Sequence, residues 1–139
     1  KYFFKVYVAG LYLSKKTKDA SAIISADEPM AIRLVVTSGL IDSENFSEST
    51  RDGFNKSLDG KTAPLQKEID NFINILGSSE IKEGDTYDLW YFPEKGVTAH
   101  KNGKVESITK GLPFKMALFG IWLGDDPVDD DLKEELLDE

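Results

Sequence analysis

The chain contains no cysteine, which excludes disulfide staples, thiolate nucleophiles and thiolate metal sites. It contains one histidine, His100, in the polar stretch AHKNGK. A single histidine without ligand or base residues beside it makes a poor metal site or triad base, so it reads as a surface residue in a turn. Basic residues are outnumbered, 17 Lys and Arg against 25 Asp and Glu, for a formal net charge of −8. Nucleic-acid binding needs a basic patch to neutralise phosphates, so that partner is not expected. No apolar run approaches the ~18 to 20 residues that cross a bilayer, so no transmembrane segment is expected. GSSEIKEGD lacks the lysine spacing of a phosphate-binding loop and does not lead into a helix. Nucleophile elbows and paired metal-ligand motifs are missing too, and no cofactor is called for.

What is present is an ordinary globular composition, 40% hydrophobic and 30% charged over 139 residues, enough for one domain spanning residues 1 to 139. The opening KYFFKVYVAGLYL is rich in β-formers and alternates loosely, which predicts a strand over residues 2 to 13, bent at Gly10. Phe3, Lys5, Tyr7, Ala9 and Leu11 share one face; Tyr2, Phe4, Val6 and Val8 share the other. Both faces are mainly apolar, which predicts cover on both sides. The chain begins inside this strand, so an upstream signal segment or a first strand is expected ahead of it.

A short helix follows from Asp19, its N-cap, to Ser25, then a strand from Met30 in MAIRLVVTS. A long helix begins near Asp42 or Ser43 and runs to about Leu58, with Gly60 ending it. Its inward stripe is weak: Phe46, Thr50, Gly53, Phe54, Ser57. PLQKEIDNFINILG predicts a second helix with a strong stripe of Leu65, Ile69, Phe72, Ile73 and Leu76. DTYDLWYF and GVTAHKNGKVESI give three strands, the last two joined by Asn102-Gly103, the signature of a two-residue type I′ hairpin. LPFKMALFGIWLG predicts a helix apolar on nearly every side. Gly120 inside it costs about 1 kcal/mol against alanine, so it points to close packing on a neighbour. DPVDDDLKEELLDE predicts a last helix with Val128, Leu132 and Leu136 inward and aspartates in its first turn, where the helix dipole favours them. The order of elements gives an α+β fold, an antiparallel sheet with helices gathered on one face.

Chemistry could sit on polar atoms inside apolar strands. Asp88 in TYDLWYF alternates with Tyr87, Leu89 and Tyr91, so it reads as outward-facing. Arg33 in MAIRLVV reads as an edge arginine on the open sheet face. Lys5 and Tyr7 point the same way, and on the helix-covered face they could line a cleft, the cation drawing a carboxylate and the phenol donating a hydrogen bond. The alternative has Lys5 snorkelling to the edge and Tyr7 in the core with a satisfied hydroxyl, and spacing alone favours it. Thr50, Gly53 and Ser57 are small where a core would be filled. If that helix faces the opening strand, it leaves room beside Tyr7, walled by Phe46 and Phe54.

KYFFKVYVAGLYLSKK resembles the opening of chalcone isomerase-like proteins, and FKMALFGIWLGDDPVDDDLKEELL resembles the C-terminal helix pair of the bacterial members. VTAHKNGKVESI and DNFINILGSSEIKEGDTYDLWYFPEKGV fit between them in order and spacing. The resemblance implies an open-faced β-sandwich, a long antiparallel sheet with helices over one face, and export to the bacterial periplasm or envelope. The family's plant enzymes close a flavanone ring with an arginine, a threonine, a tyrosine, an asparagine and a further hydroxyl residue. The arginine belongs to a strand before KYFF. The threonine position falls on Tyr7, the tyrosine position falls near Phe46, and Glu48, Ser49 and Thr50 are the nearest counterparts of the asparagine. Flavanone chemistry is therefore expected to be absent or vestigial. Non-enzymatic plant members bind fatty acids, and Lys5 and Tyr7 could serve a similar task. The expected function is a non-catalytic domain binding a small apolar or fatty-acid-like ligand through Lys5, Tyr7, Phe46, Thr50 and Phe54. An isomerase or lyase using Tyr7 as general acid, and a structural partner-binding domain, remain the alternatives.

Overall fold

The structure, a computed structural model, describes residues 7–39 and 42–137. Five strands form one antiparallel sheet in sequence order: β1 (Tyr7–Leu13), β2 (Met30–Val36), β3 (Thr86–Phe92), β4 (Gly96–Lys101) and β5 (Lys104–Thr109). The helices are α1 (Ala20–Ser25), α2 (Ser43–Ser57), α3 (Gln66–Leu76), α4 (Leu112–Leu123) and α5 (Asp130–Leu136), with a 3₁₀ turn at Ala63–Leu65 ahead of α3. This is the predicted α+β order.

Local chemistry sets the boundaries. The carboxylates of Asp19, Asp42 and Asp129 accept backbone N–H groups at the starts of α1, α2 and α5, satisfying donors that a helix end leaves free. Asn102 and Gly103 both have positive φ, 52° and 84°, as a type I′ hairpin between β4 and β5 requires.

Alternation then divides the sheet into a covered and an open face. Tyr87, Leu89 and Tyr91 of β3 are buried under the helices, as are Ile32 of β2 and Val97 and Ala99 of β4. Asp88 and Arg33 point the other way, where Arg33 Nε donates to Asp88 Oδ1 at 2.7 Å. Asp88 is thus outward, as expected. Arg33 is on the open face too, but β2 lies between β1 and β3, so it is not an edge residue among the described strands. The prediction that the opening strand is covered on both sides fails in the described part of it. Val8 and Tyr12 are 48% and 53% exposed, because alternation sends them to the open face beside Trp90, Phe92, Val105 and Ile108. His100 also departs from expectation. It belongs to β4 rather than a turn, pairs in register with Asp88, and its Nδ1 is buried without a hydrogen-bond partner among the described residues.

Helix α4 passes through the centre of the helical layer, with Phe114, Leu118 and Phe119 fully buried. It meets α2 at small residues. A Cβ on Gly120 would lie against Ser57 Oγ, and one on Gly53 would stand 2.9 Å from Ile121 Cγ2. Gly120 therefore serves close packing, as predicted, and Ser57 Oγ completes the contact by donating to the Ala117 carbonyl at 2.6 Å.

One buried charge interrupts this layer. Lys115 has no solvent exposure, yet its ammonium donates to the carbonyls of Ile23, Ile24 and Ala26 at 2.6, 2.8 and 2.7 Å. Its three N–H groups thus meet three carbonyls at the C-terminal end of α1, of which that of Ile23 also accepts the Ala26 backbone N–H. Nζ also lies over the rings of Tyr91 and Phe119, 5.6 and 5.4 Å from their centroids. Burial pushes its pKa down to about 8, with Asp27 and Glu28 opposing.

Candidate ligand-binding cavity

A cavity of about 270 Å³ lies between the covered face of the sheet and the helices, close to the lower end of the volumes usual for small-molecule sites. Its floor is Tyr7 of β1, Leu34 and Val36 of β2, and Tyr87 and Leu89 of β3. Its roof comes from Phe46, Ser49 and Thr50 of α2, Phe72 and Leu76 of α3, and Leu118, Ile121 and Trp122 of α4. Ile81 closes one wall; Val128, Asp129 and Leu132 close another. Ser49 is exposed, and Tyr7, Phe46, Thr50 and Asp129 are partly exposed, so these mark the mouth. Tyr87, Leu89, Phe72, Leu76 and Ile81 are buried within the lining.

The lining is apolar apart from a few oxygens. Tyr7 Oη accepts a hydrogen bond from Trp122 Nε1 at 3.0 Å. That bond uses a lone pair and leaves the phenolic proton to donate elsewhere. Burial raises the Tyr7 pKa; the Trp122 bond opposes this and the charge of Asp129 adds to it. The Asp129 carboxylate accepts from the backbone N–H groups of Asp131 and Leu132 at 2.9 and 3.2 Å, so one of its oxygens is engaged in capping α5. Tyr87 is 3% exposed and its hydroxyl has no hydrogen-bond partner among the described residues. An unpaired buried hydroxyl costs about 1–3 kcal/mol. Burial first, then the charges of Asp85 and Glu106, pushes its pKa up to about 12. Among the described lining residues there is no lysine, arginine or histidine.

The sequence-predicted site residues separate into three groups. Tyr7, Phe46 and Thr50 come together at the mouth of the cavity. Phe54 does not join them: it is fully buried against Phe72 and Phe114, with ring centroids 6.0 and 5.6 Å away. Lys5 lies outside the described residues. The predicted room beside Tyr7 is present, but its origin is corrected. Gly53 and Ser57 leave no space, because α4 moves in against them. The space lies along the first half of α2, at Phe46, Ser49 and Thr50. Sequence reasoning missed Trp122, Tyr87 and Asp129. Tyr87 carried a signal, being the phenol that alternation sends to the covered face. Trp122 and Asp129 carried none, since an apolar helix and an acidic helix start look complete by themselves.

A chalcone isomerase-like family model matches residues 1–138. The chain belongs to the chalcone isomerase-like family. Among curated proteins no sequence matches it. Among solved structures, the fatty-acid binding protein of Arabidopsis thaliana is similar, with a TM-score of 0.67 and 20% sequence identity. The likeness covers 88% of this chain and 62% of the plant chain, so this chain spans less than two thirds of the length of that protein. At this identity the likeness is one of fold, an open antiparallel sheet with helices on one face.

Proposed function

We propose that this domain is a non-catalytic binding protein for a small, largely apolar molecule such as a fatty acid, held between sheet and helices with its polar head at Tyr7. The observation that carries this reading is an apolar cavity that the described residues leave unfilled, with a phenolic proton at its mouth that none of them is seen to accept. The structural likeness to a fatty-acid binding protein supports it. Catalysis by Tyr7 as general acid would call for a partnering base, and the described lining offers only Asp129, already tied to the start of α5. Displacement of a fluorescent fatty acid tests the reading. Saturable displacement is expected, weakened about tenfold to a hundredfold by Tyr7→Phe, the scale of one hydrogen bond to a charged group. Absence of saturable binding, or unaltered affinity in the variant, would overturn it. The bacterial periplasmic setting that the resemblance implies is checked by fractionating cells that express the full-length protein.

A further inference from the structure

Tyr87 lines the cavity two strands away from Tyr7, with a hydroxyl that nothing in the described protein satisfies. Its ring is held from two sides. Phe46 stacks on it, with centroids 6.0 Å apart and planes 15° from parallel. The Lys101 ammonium lies 5.7 Å from its centroid and is itself fixed by Ser79 Oγ at 2.8 Å and the Glu80 carbonyl at 2.6 Å. A ring clamped in this way cannot swing to find another partner. Tyr91, on the same face of the same strand, shows that a buried phenol in this sheet can be paired within the protein, since it donates to Asp27.

The second phenol is well separated from the first. Tyr7 is on β1 and Tyr87 on β3, two strand spacings apart, or roughly 10 Å across the sheet, and the register offsets them by one same-face step along the strands. A ligand whose only polar group sits at Tyr7 would lay hydrocarbon against the Tyr87 hydroxyl and seal it in without a partner. A site built this way discriminates against molecules that lack the matching polar group.

We propose that Tyr87 is a second polar contact in the cavity, and that the ligand is an oxygenated amphiphile: an apolar chain with one polar head at Tyr7 and a hydroxyl or carbonyl oxygen further along, at Tyr87. This rests on the binding reading above and narrows its ligand class. The experiment compares dodecanoic acid with its monohydroxylated analogues, the hydroxyl placed mid-chain or at the terminus, by calorimetry on the wild type, Tyr7→Phe and Tyr87→Phe. At least one hydroxylated analogue is expected to bind wild type tenfold or more tightly than dodecanoic acid. Tyr87→Phe should abolish that preference; Tyr7→Phe should weaken both ligands and keep the preference. Equal binding of dodecanoic acid and every analogue by wild type overturns the inference alone, as does a preference that survives Tyr87→Phe. If neither ligand type binds, the binding reading falls and takes this one with it. Thermal melts of both variants confirm the fold.

Discussion

Tyr87 and Tyr91 share a strand, a face, near-complete burial and a pKa pushed up to about 12, yet their surroundings differ. At the Tyr91 end of the sheet both the buried phenol and the buried ammonium are paired. Its hydroxyl donates to Asp27, and Lys115 beneath its ring spends all three N–H groups on carbonyls of the α1 end. At the Tyr87 end α2 contributes Ser49 and Thr50 where a core would have larger side chains, the space between layers stays open, and the hydroxyl has no partner among the described residues. The contrast teaches that this fold can close itself over buried polar groups. The open end is therefore a local property of its residues and not a general looseness of sheet against helices.

Lys115→Met strikes the closed end hardest. It keeps the apolar stem and strands three carbonyl oxygens, so a loss of about 3 kcal/mol is expected by chemical denaturation. A loss below about 1 kcal/mol would mean the ammonium is not what holds α1 to α4. Tyr91→Phe should cost about 1–2 kcal/mol, because Asp27 loses its donor. Alkaline titration sharpens the pairing of the two tyrosines. Unfolded tyrosine releases its proton near pH 10, while Tyr87 and Tyr91 hold theirs to about 12. Between those values the folded state carries more protons, so the stabilisation is full below pH 10 and is lost as pH rises through 12. Either Phe variant should flatten that fall in stability, measured by denaturation at stepped pH. The smallest effect belongs to Tyr87→Phe at neutral pH. Removing a hydroxyl that has no partner among the described residues should shift stability by less than about 0.5 kcal/mol, or raise it. A loss matching that of Tyr91→Phe would erase the difference between the two ends.

Much of the architecture was legible in the sequence because its determinants are local. Asp19, Asp42 and Asp129 cap helices with their own next residues, Asn102-Gly103 turns the hairpin by its own dihedrals, and alternation in TYDLWYF sends Asp88 out and both tyrosines in. The stripe of α3 announced its buried face by spacing alone. The mouth of the cavity was legible in part, since Tyr7, Phe46 and Thr50 each follow from the face on which their element presents them. Phe54 was misassigned because it shares the inward side of α2 with them, while the approach of α4 decides which half of that side is filled.

By itself the sequence determined the elements, their order, their caps and the covered face of each strand, because those depend on residues a few positions apart. Only the tertiary structure decided that Gly53 and Ser57 receive α4, that Lys115 is sheltered by carbonyls about ninety positions away, and that the Tyr87 hydroxyl meets no partner among the described residues. Each of those outcomes depends on how closely whole elements approach one another, a distance set by the packing of every side chain between them and carried by no short stretch of sequence.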